Sequence, residues 1–224
     1  MRDLLAGNPA ALSAWIDGPF GPRLRLCLLT LVVGAGSYGA TIGLWRSGEQ
    51  AIYAAVKFPL VVTLTCGGNA LLNGLLAQVF ETGLTFRQTT LAILASFAIA
   101  GLALLSFVPL ALFLLRNTPP LESEAARTGH SLTLLAHVGA IGFAGWIGNR
   151  RLYRLLAYRS RSSANARIVL LGWLAGNLLL GSQISWILRP FIGNPSLPVA
   201  FLREHPLWGG FFEQVWRSLS QLIF

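Results

Sequence analysis

Residues 52–80 read IYAAVKFPLVVTLTCGGNALLNGLLAQVF. From Phe58 onward this stretch is apolar for long enough to cross a bilayer, which takes roughly 20 residues. It also carries Thr65, Asn69 and Asn73 at four-residue steps, so the three fall on one helical face. Lipid offers no hydrogen-bond partner, so such a stripe must turn toward protein or water. Lys57, the one lysine of the chain, stands at the start of this span beside Pro59.

The rest of the chain repeats the pattern. Of its 224 residues, 54% are hydrophobic and 11% charged, against about 25% charged in soluble domains. The mean hydropathy is +0.62. These values predict an all-α, polytopic membrane helical bundle of about five transmembrane helices, with interfacial segments at both ends. The spans are read at 26–45, 58–80, 89–115, 131–148 and 168–188, and the whole chain is read as a single transmembrane domain. The net charge of +9 comes from arginines at the ends of apolar runs, where they meet phosphate headgroups. Nucleic acid is therefore not the expected partner. Cys27 and Cys66 both fall inside spans, which fits two small buried residues and neither a disulfide framework nor a zinc site.

Leu4, Leu5, Leu12, Trp15, Ile16 and Phe20 give the opening segment a broken apolar face. It reads either as a short interfacial helix with Trp15 at headgroup level or as a flexible tail. It lacks a clean apolar core before a small-residue site, so the first span is expected to act as an uncleaved insertion signal. That span carries Gly36, Gly39 and Gly43 as a small-residue face, and span four carries Gly139, Gly142, Gly145 and Gly148, three apart. In lipid such faces mark close helix contact. Span three is nearly pure hydrocarbon, kinked at Pro109, and is read as the most lipid-exposed.

The loop after span three holds Glu122 and Glu124, the only close acidic pair, with nothing else of a metal site nearby. His137 lies inside span four, as a relay or as a partner to a neighbouring hydroxyl or carbonyl. After it comes a basic block: Arg150, Arg151, Arg154, Arg159, Arg161 and Arg167. Its amphipathic start reads as a membrane-surface helix, with Arg150, Arg151 and Arg154 on anionic lipid headgroups. By the positive-inside rule this block and the N-terminus lie in the cytoplasm and the C-terminus on the opposite side, in a bacterial inner membrane.

Span five mirrors span two: Asn177, Gly181, Ser185 and Arg189 step by four, with Gln183 close by. The tail, 191–224, is broken by Pro195, Pro198 and Pro206. It ends in an amphipathic helix with Phe211, Phe212, Val215, Trp216, Leu219, Leu222 and Ile223 on one side.

Enzyme readings lack parts. There is no histidine cluster, nucleophile elbow or Walker loop, and every acidic residue lies outside the spans. His130 and His137 share one helix region and cannot clamp a haem from opposite faces. No cofactor, metal site or catalytic residue is expected. No internal repeat supports an inverted-repeat transporter. What remains is a polar interior without acid: Thr65, Asn69, Asn73, Asn177, Gln183 and Ser185, with Lys57 and Arg189 at its ends. It is either helix glue or a path for a small solute, and the two cations would favour an anion.

The segment Asp17-Gly18-Pro19-Phe20 before a glycine-rich first of five spans resembles the Yip-type family of five-span membrane proteins, which has an Asp-x-x-Gly-Pro-Phe-like motif at that place. The resemblance implies a cytosolic N-terminus and, as for eukaryotic members, interaction with Rab GTPases and with one another; it carries over no functional residue. Residues 183–194, QISWILRPFIGN, are also similar to a signature of an uncharacterised bacterial membrane family. The leading expectation is a protein that works by assembly, as a homo-oligomer or within a larger membrane complex. The alternative is a channel or carrier for a small anion or neutral solute.

Overall fold

Asn8 and Pro9 start the first helix: the Asn8 side chain accepts from the Ala10 N–H, and Pro9 takes the first-turn position where no donor is needed. The computed structural model describes residues 7–120, 122–194 and 196–223, which hold helices and no strand. In chain order these are α1 Pro9–Ile16, α2 Phe20–Gly43, α3 Gly48–Gly68, α4 Ala70–Val79, α5 Phe86–Ser106, α6 Val108–Asn117, α7 Ala126–Arg159, α8 Ser163–Ile187 and α9 Phe211–Ile223. Five of them, α2, α3, α5, α7 and α8, are long and apolar enough to cross a membrane. Leu4 and Leu5 lie outside the described residues, as do the side chains of Leu222 and Ile223.

α2 is sandwiched between α3 and α5. Against α3, a Cβ on Gly39 would stand 2.6 Å from the Ala54 carbonyl oxygen, and one on Gly43 would overlap the backbone at Gln50. Gly36 faces the carbonyl of Ala55, whose helical donor Pro59 lacks. On the other face, Gly34 meets the backbone of Gly101 in α5. α7 closes on α5 where Gly148 meets the Ser96 carbonyl. Two apolar cores result. One gathers Ile16, Cys27, Leu91, Leu152, Leu156 and Trp173 near the start of α2; the other gathers Tyr38, Ile42, Leu104, Ala144 and Ile192 near its end.

Several expectations change. The 58–80 span is two helices, and the first begins at Gly48, so Lys57 sits well inside α3 rather than at its start. The break falls at Asn69, after the pair Gly67-Gly68, where small residues let the chain depart from helical geometry. The 89–115 span breaks at Phe107, ahead of Pro109. It is not the most lipid-exposed: 61% of the α5 window is buried, against 11% for α8. A helix walled by other helices and one walled by lipid have the same apolar composition, so sequence alone does not separate them.

The basic block is no separate surface helix. Nothing between Gly148 and Tyr153 breaks a helix, so α7 runs on for 34 residues, about 51 Å at 1.5 Å per residue. Leu152, Leu155 and Leu156 pack into the core while Arg150 and Arg154 stay exposed and Arg151 is half-buried. Trp15 is buried against the bundle. α1 is clasped by Arg159, which donates to Ser13 Oγ (2.9 Å), to Asp17 (3.0 Å) and to the Gly83 carbonyl (3.2 Å).

Candidate functional site: an amide seam beneath a cationic cap

Asn69 sits at the α3–α4 break, where its own backbone leaves the helix. Its Nδ2 donates to Asn177 Oδ1 of α8 at 3.1 Å. The helices meet closely here, because Gly176, next to Asn177, stands against Asn69, and Gly181, one turn on, stands against Thr65. The Thr65 hydroxyl is satisfied within its own helix by Val61 O. Asn73 is fully buried; its carbonyl accepts from Trp173 Nε1 at 3.0 Å, and its side-chain amide has no partner among the described residues. The structure thus brings Asn69 and Asn177 together.

Gln183 is not part of this seam. It is exposed, because six residues beyond Asn177 it has rotated about 120° off the stripe at 100° per residue. Ser185 is half-buried and lines a cavity beneath the tail instead.

After α8 the chain turns back over the bundle through a cis Arg189–Pro190 bond. The Pro190 carbonyl accepts from Lys57 Nζ (2.9 Å) and Gln50 Nε2 (2.8 Å), and Gln50 also reaches the Phe191 carbonyl. Lys57 and Gln50 are fully buried. The ammonium is ringed by Phe201, Tyr53 and Phe191, at 4.7, 5.8 and 5.9 Å from the ring centres, so aromatic faces rather than a carboxylate balance its charge. Arg189 stacks 3.9 Å over Trp186 and donates to the carbonyls of Trp186, His205, Pro206 and Trp208, which clasps the far side of the tail.

Two more arginines complete the cap. Arg203 Nη1 donates to Pro198 O and Arg46 Nη2 to Leu197 O. Arg46 packs against Gly193, where a positive φ and the arginine stem both exclude a Cβ. Burial lowers the Arg189 and Arg203 pKa values, and neighbouring cations add to it: Arg203 acts on Arg189, and Arg46 on Arg203. Among the described residues the ion pairs lie elsewhere, at Arg159–Asp17, Arg161–Glu81 and Arg217–Glu213. Beneath the cap is a cavity of about 230 Å³ lined by His130, Ser185, Trp186, Arg189, Arg203 and Phe211, among others.

The two glycine faces differ. Gly36, Gly39 and Gly43 are filled by α3, whereas a Cβ on Gly139, Gly142 or Gly145 meets nothing within 4 Å among the described residues. Their helix packs through Gly148 instead, one turn further on. His137 is buried and its Nδ1 lies 2.8 Å from Tyr38 Oη, so the hydroxyl and ring satisfy each other. No group of three or more His, Cys, Asp or Glu placed to hold a metal occurs among the described residues.

Sequence reasoning missed Gln50, Arg46 and Arg203. The signal for Gln50 is indirect: residues 183–194, singled out as a signature, hold the Pro190 and Phe191 carbonyls that it serves, and Arg46 packs against Gly193 of the same stretch. Comparison with protein-family models, curated proteins and solved structures found no match to this chain.

Proposed function

We propose that the chain is an integral protein of a bacterial inner membrane that works by assembly, as a homo-oligomer or as a subunit of a larger membrane complex. The observation that carries this reading is the open glycine face of α7. Each glycine in a helix costs about 1 kcal/mol relative to alanine. Gly39 and Gly43 recover that cost through close approach to α3, while Gly139, Gly142 and Gly145 have no counterpart in the chain. A helix from a neighbouring subunit supplies one, since small residues let backbones meet in lipid. Exposed Phe143 and Trp146 flank the face and give such a helix apolar walls. The resemblance to the Yip-type family, whose members interact with one another, points the same way. The N-terminus lies in the cytoplasm with the arginines of α7, and the cap on the opposite side.

The test is the mass of the protein purified in mild detergent. The wild-type chain runs as a defined oligomer or with a co-purifying subunit at fixed ratio. Gly142→Leu runs as a monomer with unchanged thermal stability. Wild type and variant both running as bare monomers overturns the reading.

A second reading, a channel or carrier for a small anion, is favoured by the unpartnered Asn73 amide in the seam and the acid-free cap. It requires anion flux in liposomes that Lys57→Ala alters; flux at background removes it.

A further inference from the structure

The cap gathers positive charge without an acid to answer it. Arg46 is close enough to depress Arg203, and Arg203 to depress Arg189; these three and Lys57 all give their hydrogen bonds to backbone carbonyls. The acids of this end are engaged or turned away. Glu213 pairs with Arg217 along α9, Glu49 accepts from Tyr53, and Glu122, Glu124 and Glu204 are exposed and form no ion pair among the described residues. The donors are far from used up. Arg203 spends one hydrogen bond of a guanidinium's five N–H groups. Arg46 Nε is buried without a partner among the described residues. Gathering like charges costs energy, and a bound anion removes that cost.

We propose that the cavity beneath the cap is a phosphate-binding site, in which Arg203 grips the phosphate oxygens while Arg189, Arg46 and Lys57, held by backbone carbonyls, supply positive field around it. Arg203 and Arg189 line the cavity; Arg46 stands behind its Gly193 wall. A planar guanidinium presents paired donors at the spacing of two phosphate oxygens. The first turn of α9 adds its N-terminal dipole at Phe211 and Gln214, both on the cavity wall. Trp186, Ile192, Leu197 and Val215 give much of the remaining wall an apolar surface, with His130, Ser185 and Asn194 among them, so the group bound is the phosphate of an ester with an apolar part, or free phosphate. The lipid headgroup is one source: exposed Trp208, Phe212 and Trp216 surround this end.

The experiment uses the full chain, purified and delipidated in mild detergent. One arm titrates inorganic phosphate and follows binding by calorimetry. The other adds phosphatidylglycerol, with diacylglycerol of the same chains as control, and follows retention by native mass spectrometry. Phosphate binding alone assigns a free anion; selective retention of phosphatidylglycerol assigns a headgroup; either supports the site. Arg203→Gln weakens the interaction about tenfold or more, the loss expected for a charge-assisted pair, while Arg25→Gln at the other end leaves it unchanged. In the wild-type chain, phenylglyoxal modification of Arg203 is slowed by the bound probe, which reads the site without a variant. Failure of both probes to bind wild type, equal binding to Arg203→Gln, or no protection of Arg203 overturns the proposal.

Discussion

Lys57 Nζ and the carbonyl oxygen of Pro190, 133 positions apart in sequence, lie 2.9 Å apart and tie the interior of α3 to the cap. The bond is buried and charge-assisted, and removing it is expected to cost about 2 kcal/mol. Lys57→Met keeps most of the side-chain volume and removes the donor. The expected result is a lower thermal midpoint in detergent and faster tryptic cleavage after Arg203, because Gln50 alone then holds the Pro190 turn. Cleavage at the wild-type rate shows that the cap does not depend on Lys57.

How much of this was legible follows from what each residue type can and cannot hide. The spans were readable because only a helix satisfies its own backbone in lipid. The approach of Asn69 to Asn177 follows from the same scarcity, since an amide at membrane depth needs a partner and few others exist. The burial of α5 was not readable, because a core of Leu, Ala and Ile and a lipid-facing wall look alike. The opposite fates of Gly39 and Gly142 were equally hidden: a small-residue face says that something fits there, not what. The cap was the least legible part. Residues 188–210 have no periodicity, so only the structure shows that Gln50 serves the same carbonyl as Lys57 and that Arg203 joins the cap beside them.

The Asn69–Asn177 pair is suited to a double-mutant cycle. Hydrogen bonds between membrane helices average about 0.6 kcal/mol. Asn69→Leu and Asn177→Leu should each lower stability, and the double variant should lose less than the sum by about that amount. Strict additivity would mean that the 3.1 Å contact is not an energetic bond.

Arg203→Gln is expected to behave unlike Lys57→Met. Its side chain makes one hydrogen bond and stands among like charges. Losing the bond is offset by relief of repulsion, so without an anion the variant should shift stability by less than about 1 kcal/mol. Added sodium chloride should stabilise the wild-type cap by screening the same repulsion, and stabilise the variant less. A large loss of stability in Arg203→Gln at low salt contradicts this balance.

Topology can be read directly. Reporter fusions after Ser163 and after Phe224 should give opposite readouts, cytoplasmic for the first, because the arginines of α7 lie before it and one further span lies between the two sites. The same readout at both places would show that α8, the least buried of the five spans, does not cross.

The last prediction contrasts the two glycine faces within one chain. At Gly39 even a Cβ would stand 2.6 Å from the Ala54 carbonyl oxygen, closer than such atoms approach, and the obstacle is backbone, which does not swing aside. Gly39→Leu must therefore push α2 away from α3 and loosen the Tyr38–Phe58 contact beside it, 6.2 Å between ring centres. Overpacking of this kind costs about 1–3 kcal/mol. At Gly142 a leucine has open space in the chain and gains helix propensity of up to about 1 kcal/mol, so the isolated subunit should be as stable as wild type or slightly more so. Thermal midpoints of the two variants, measured at a concentration where both are monomeric, decide the matter. Similar losses at both positions would mean that α7 already has a neighbour inside its own fold, and the open face would have no partner to explain.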